Sequence, residues 1–210
     1  MTSKLLIALC LCAATALARA EKKIPCISRS RADSLSTRLV QWNDRICPLN
    51  TLATDFTLKV CGQCRPYGYT PEQVVASWAL YPETWNRAPL LLVENKDLRQ
   101  RLGIRERHVA VVQLYDGDTY RLQALLDATP ADDTRLIRAI TDLDERVRLV
   151  AELISGTLIQ PAPEDTPPLP AWRLRLELWN NRFPLFNILY AALLLAATVG
   201  FIYYLRNSRS

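Results

Sequence analysis

The sequence offers little that would serve catalysis. Its 210 residues include one histidine, one methionine and six glycines. No Ser/His/Asp arrangement, no phosphate-cradling glycine loop and no paired acid and base stand out along it. Excess charge of one sign is also missing where it would matter. The chain carries 26 Lys+Arg against 21 Asp+Glu. Lys4, Arg19, Arg206 and Arg209 lie at the extremes, which leaves 22 basic and 21 acidic residues between Glu21 and Phe183. That balance excludes the basic footprint of a nucleic-acid binder. Hydrophobic residues make up 50% of the chain, so it is expected to fold.

Both ends are apolar, in different ways. MTSKLLIALCLCAATALARA has a short basic start at Lys4, an apolar stretch from Leu5 to Leu17, and Ala18-Arg19-Ala20 in the small-x-small pattern of a cleavage site. We read residues 1–20 as an export signal, and Cys10 and Cys12 leave with it. From Pro184 to Leu205 no residue is charged. As a helix this stretch spans about 33 Å, against a hydrocarbon core of about 30 Å. Arg206 and Arg209 follow at once, so residues 184–205 are expected to cross the inner membrane once, with 206–210 in the cytoplasm and the N-terminal domain in the periplasm.

The exported part is expected to be a predominantly helical α+β domain over 21–160, with a few short strands. Val40 and Trp42 alternate with Leu39 and Gln41 before an Asn43-Asp44 turn, which gives two strands. A helix follows from Pro48 to a Gly62 stop. Thr70-Pro71-Glu72-Gln73 carries the capping-box spacing and opens another, ended by Pro82. Pro89–Glu94 reads as a strand, and Asn95 and Gly103 bracket a helix. His108–Gln113 reads as that strand's partner or a helical segment, and a further helix covers about Tyr120–Ala128. The Asp132-Asp133 pair begins a long helix to about Gln160, with Leu136, Ile140, Leu143, Val147, Val150, Ile154 and Leu158 as its packed seam. Asp142 with Arg146 and Asp144 with Arg148 are spaced as solvent-side ion pairs. Residues 161–171 form a proline-rich linker. Trp172, Leu176, Trp179 and Phe183, flanked by Arg173, Arg175 and Arg182, make 172–183 an amphipathic segment suited to the lipid interface.

Four cysteines remain after export: Cys26, Cys47, Cys61 and Cys64. An oxidising compartment favours a structural disulfide, by Cys61 to Cys64 or across to Cys47 or Cys26. Cys61-Gly62-Gln63-Cys64 also has the spacing of a redox dithiol, although it lies at a predicted helix end rather than a helix start. No metal site is assigned. His108 reads as a packed or half-exposed histidine, Asp116-Gly117-Asp118 as a turn, and Trp78, Trp85, Tyr81 and Tyr69 as core.

Four blocks in order, CPLNTLATDFTLKV, GYTPEQVVASWALYPETWNRAPLLLV, LRQRLGI and LDERVRLVAELISG, continue through ELWNNRFPLFNILYAALLL. Together they resemble the periplasmic region of a cytochrome c biogenesis protein of the ResB/CcsB–CcsA (system II) type, in its fused Bacteroides-like form. The resemblance covers most of residues 36 to 205. It implies an accessory, non-enzymatic part in haem delivery to apocytochrome c. That family handles haem with histidines near membrane helices and a tryptophan-rich segment, and this chain has neither. Haem is therefore expected to be reached only through a partner, a multi-span haem-handling membrane protein of the assembly system, and no residue here is assigned as its ligand. The alternative is a membrane-anchored thiol-disulfide oxidoreductase using Cys61 and Cys64.

Overall fold

A computed structural model of the protein describes residues 24–182 and 189–199. The expected signal segment and cytoplasmic tail lie outside these residues. The chain begins with helix α1 (Arg29–Ser36), a hairpin of β1 (Leu39–Trp42) and β2 (Arg45–Pro48), and helix α2 (Leu49–Cys61). Helices α3 (Pro71–Leu80) and α4 (Pro82–Trp85) precede β3 (Leu91–Leu92), α5 (Lys96–Leu102) and β4 (His108–Val109). A small hairpin, β5 (Tyr115–Asp116) and β6 (Thr119–Tyr120), leads to α6 (Arg121–Asp127) and the long α7 (Thr134–Ser155). The chain closes with β7 (Gln160–Pro161) and α8 (Ala171–Arg182). This is a helical α+β fold with short strands.

Local chemistry accounts for most element ends. Asn43 and Asp44 take positive φ values of 50° and 59°, the left-handed pair that joins two twisted strands by a two-residue turn. Thr70 and Gln73 exchange the reciprocal bonds of the capping box at the start of α3. Asn95 caps α5 through Leu98 N–H, and Asp133 caps α7 through Leu136 N–H. α1 was not anticipated from the sequence. Its residues are nearly all polar, only Ala32 is buried, and its one signal is the Ser28 cap that accepts from Arg31 N–H.

The long helix is shorter than expected. Gly156 at φ 79° ends it, and the Thr157 and Leu158 amides fold back onto the Glu152 carbonyl at 3.0 Å each. The chain then runs as β7 along β1, antiparallel, with Val40 opposite Pro161 and Gln41 opposite Gln160. The sheet order is β2-β1-β7. The buried seam of α7 is Leu136, Ile140, Leu143, Val147, Val150 and Leu153, whereas Ile154 is exposed. The expected ion pairs Asp142–Arg146 and Asp144–Arg148 do not form. Asp144 accepts instead from Tyr120 Oη at 2.6 Å, and Arg148 lies 3.7 Å from Glu152.

α2, α3 and α7 enclose the core. Phe56 meets Trp78 edge-on, and Trp78 lies 5.9 Å from Trp85 between ring centres. All three are fully buried. Both indole N–H groups are satisfied, Trp78 by Asn86 Oδ1 at 2.8 Å and Trp85 by the Pro25 carbonyl at 2.9 Å. The segment Ile24–Ser28 is thereby strapped over α3. Ser77 Oγ accepts from Ile27 N–H at 3.0 Å, and Gln73 Nε2 donates to the Ile27 carbonyl at 2.9 Å.

Among the described residues no helix is long and apolar enough to cross a membrane. Of the expected span 184–205, residues 189–199 are described. They are helical and exposed throughout, and the rest of that span lies outside the described residues.

The strap makes a measurable prediction. Ser77→Ala leaves the buried Ile27 amide without its acceptor and should lower unfolding free energy by about 1–3 kcal/mol, with faster hydrogen exchange at Ile27. Ser34→Ala, at an exposed hydroxyl, should stay within about 0.5 kcal/mol in the same urea titration. Equal effects would show that the Ser77–Ile27 bond contributes nothing to stability.

Candidate functional site

Four segments meet at the C-terminal end of α2. The helix stops at Gly62, φ 69°, a backbone conformation that glycine adopts freely. A Cβ there would stand 2.5 Å from Leu92 Cδ2, so β3 crosses as close as a missing side chain permits. β4 pairs with β3, placing His108 opposite Leu92. His108 Nε2 lies 3.0 Å from the Cys61 carbonyl. A carbonyl only accepts, so Nε2 carries the proton and donates. From α7, Arg146 reaches over and donates to the Leu92 carbonyl. Lys59 and Glu145 tie α2 to α7 at 2.8 Å.

The meeting point encloses a hollow of about 340 Å³, lined by Cys61, Gly62, Gln63, Leu92, His108 and Arg146 among others. The predicted candidates are thus partly gathered. Cys61 and His108 line one hollow, while Cys64 follows in the loop after α2, half-buried. Cys47 is buried on β2, and Cys26 lies in the strap, where its sulfur accepts from Ser77 Oγ at 3.4 Å. All four stand as free thiols.

The environments of Cys61 and Cys47 point away from nucleophilic chemistry. Burial pushes the Cys61 thiol from its ordinary 9.0 up to about 12. Cys47 is also raised, by burial first, with Arg45 pulling the other way. A reactive cysteine needs its thiolate stabilised, and Cys61 has the reverse: a buried sulfur at the negative end of a helix. Among the described residues no group of three or more His, Cys, Asp or Glu is placed to hold a metal ion. Trp78 and Trp85 are core residues rather than a flat binding face, and Tyr81 is exposed.

Sequence spacing missed the residues that organise this region. Arg146 was expected to face solvent beside Asp142, yet it bridges α7 to β3. Arg99 donates to the Val93 and Glu94 carbonyls at 2.6 and 2.8 Å. Arg121 does the same for Gln113 and Leu102 at 2.9 and 2.7 Å. A guanidinium clamping loop carbonyls leaves no periodic trace in a sequence.

Sequence also missed how α8 is held. Glu177 accepts from Thr51 Oγ1 at 2.8 Å and from Arg45 at 3.3 Å, and Asn181 Nδ2 donates to Asn50 Oδ1 and Thr51 Oγ1 at 2.9 Å each. Asn50 in turn donates to the buried Glu72. On its other side α8 exposes Trp172, Leu176 and Trp179.

No family model matches the chain. It is similar to Protein NrfI of Wolinella succinogenes, 25% identical over 134 residues, which cover 61% of this chain and 15% of NrfI. The chain therefore spans a small part of the length of the curated relative it matches.

Two measurements test the site's geometry. Gly62→Ala should cost more stability than Gly103→Ala. Both positions have φ 69°, a penalty of about 1–2 kcal/mol, but only Gly62 adds the contact with Leu92, since Gly103 faces open space. The second concerns pH. Folded Cys61 keeps its proton to about 12 whereas an unfolded thiol loses it near 9.0, so the unfolded chain binds fewer protons in that window. Its contribution is complete below the lower value and is lost as pH climbs toward the higher, at up to about 1.4 kcal/mol per pH unit. The stability advantage of the wild type over Cys61→Ala should therefore shrink between about pH 8 and pH 10.5, and a constant advantage would refute the burial argument.

Proposed function

We propose that this chain is a membrane-anchored, non-enzymatic accessory component of cytochrome c maturation, a periplasmic scaffold supporting haem delivery to apocytochrome c by a multi-span partner. The observation that carries the reading is the likeness to NrfI, which supports a general link to cytochrome c maturation. The finer parts of the proposal rest on the chain's own residues.

Anchoring rests on the uncharged stretch 184–205, of which 189–199 form a helix with every residue exposed. Exposed Leu193, Leu194, Leu195 and Val199 call for an apolar environment. α8 offers the domain a fixed seat beside that stretch. Its Glu177–Asn181 side is hydrogen-bonded to α2, and the Trp172–Leu176–Trp179 side suits the lipid interface. In this reading residues 206–210 face the cytoplasm and the domain faces the periplasm of the inner membrane.

A scaffold role rests on what the hollow contains. Its cysteine is buried with a raised pKa, and its histidine is engaged through Nε2 with a backbone carbonyl. The oxidoreductase alternative needs one of Cys61 and Cys64 to attack as thiolate, and burial makes Cys61 poorly suited to do so.

The test removes the coding sequence from its host and follows covalent haem in c-type cytochromes by peroxidase staining of gels. Holocytochrome should fall while apocytochrome remains, and Cys61→Ala/Cys64→Ala should restore holocytochrome as well as the wild type does. Unchanged holocytochrome in the deletion would sink the reading. Rescue by the wild type but not by the double-Ala variant, with that variant still folded, would favour the oxidoreductase.

A further inference from the structure

A charged groove runs along one side of α7 where it passes β3 and the start of α5. The hollow beside Cys61 adjoins a second one of about 330 Å³, and the two share Glu94 and Arg146. Lys59 and Arg107 stand at one end, Arg135 and Arg138 at the other, and Arg146 between them. The carboxylates lining the groove are Glu94 and Asp142. Lys59 is already paired with Glu145. Arg107, Arg135 and Arg138 are exposed, and none has an ion-pair partner among the described residues.

This charge is segregated, not a reflection of composition, because the exported part as a whole is balanced at 22 basic and 21 acidic residues. The centre of the groove also holds an orphan. Arg146 donates to the Leu92 carbonyl, but its Nε is buried without a hydrogen-bond partner among the described residues. A buried donor of this kind is normally satisfied, and leaving it closed off holds the guanidinium charge of Arg146 at the junction of the two hollows.

The dimensions fit a peptide. From Arg135 to Arg146 the helix rises about 16 Å, the length of about five residues of extended chain. Position argues against lipid headgroups. α8 seats on Asn50 and Thr51 in the first turn of α2, whereas the groove begins at Lys59 and Cys61 in its last turn, about 13 Å further along the axis.

We propose that this groove receives an acidic, extended segment of a partner polypeptide, whose carboxylates meet Arg135, Arg138 and Arg107 along the charge that Arg146 places at its centre. Attraction of this sort sets association rate and specificity and weakens with salt. Only the identification of the partner as an assembly component rests on the function proposed above; capture of the peptide does not.

The experiment uses the full chain in phosphatidylcholine nanodiscs and a fluorescein-labelled octaglutamate peptide, read by anisotropy. Saturable binding is expected, weakened by salt and about tenfold or more by Arg135→Glu/Arg138→Glu, with octalysine not bound. Both substituted side chains are exposed, so the melting temperature should not move. Arg135→Lys/Arg138→Lys should retain most of the affinity. Three results would overturn the proposal: no binding, equal binding by wild type and the Glu variant, or displacement of the peptide by inorganic phosphate at equal carboxylate-equivalent concentration, which marks a small-anion site. Phosphatidylglycerol nanodiscs that bind wild type but not the Glu variant, with octaglutamate bound equally by both, would assign the groove to lipid and overturn it too. The readout is made on purified protein, so it can fail while cytochrome maturation still depends on the chain, or succeed while it does not.

Discussion

The structure depends on three buried rings, Phe56, Trp78 and Trp85, and on the two indole N–H groups being satisfied where they lie. Rings of this size bury much apolar surface, and truncating one to alanine typically costs about 3–5 kcal/mol. Each indole also carries a donor that cannot be left unpaired in such a place. Asn86 answers Trp78 from the turn after α4, and the Pro25 carbonyl answers Trp85 from the strap. The second bond joins residues sixty apart in sequence. It obliges the first described residues to lie over α3 and places Ile27 among the buried residues. From that cluster the rest follows in layers: α2 contributes Phe56, α3 contributes Trp78, and α7 lays Ile140, Leu143 and Val150 across them.

Much of this was legible because it is written in short-range chemistry. The Asn43-Asp44 turn, the Thr70–Gln73 box, the Asn95 cap and the Gly62 and Gly103 stops are each decided by one to four neighbouring residues. What escaped was decided elsewhere. α1 offers the core only Ala32 and Leu35 from an otherwise polar run, behind a single side-chain cap. The end of α7 was placed too late because the apolar spacing runs on through Leu158, which is buried, though beyond the helix. Gly156 was the stop. His108–Gln113 fitted strand or helix and proved to be both, pairing at His108–Val109 and then turning through Val111–Leu114.

The candidate site was legible in part for the same reason. Cys61-Gly62-Gln63-Cys64 is conspicuous on the page, but its chemistry is set by Leu92 and His108, which come from β3 and β4. Sequence named the thiols and could not say that one of them would be buried. The arginines invert the lesson. Arg99, Arg121 and Arg146 look like ordinary surface charge, yet each donates to backbone carbonyls outside its own helix. Such carbonyls are obligatory acceptors, and a long side chain with a planar fork is suited to reach them.

The seating of α8 has a mechanical side. Its twelve residues form a rod about 18 Å long, clamped by Glu177 and Asn181 to the opening turn of α2. α2 is also the helix whose far end frames the hollow at Gly62. A tilt imposed on the rod would thus be geared through a single stiff axle to the opposite pole of the domain, with no hinge between the two.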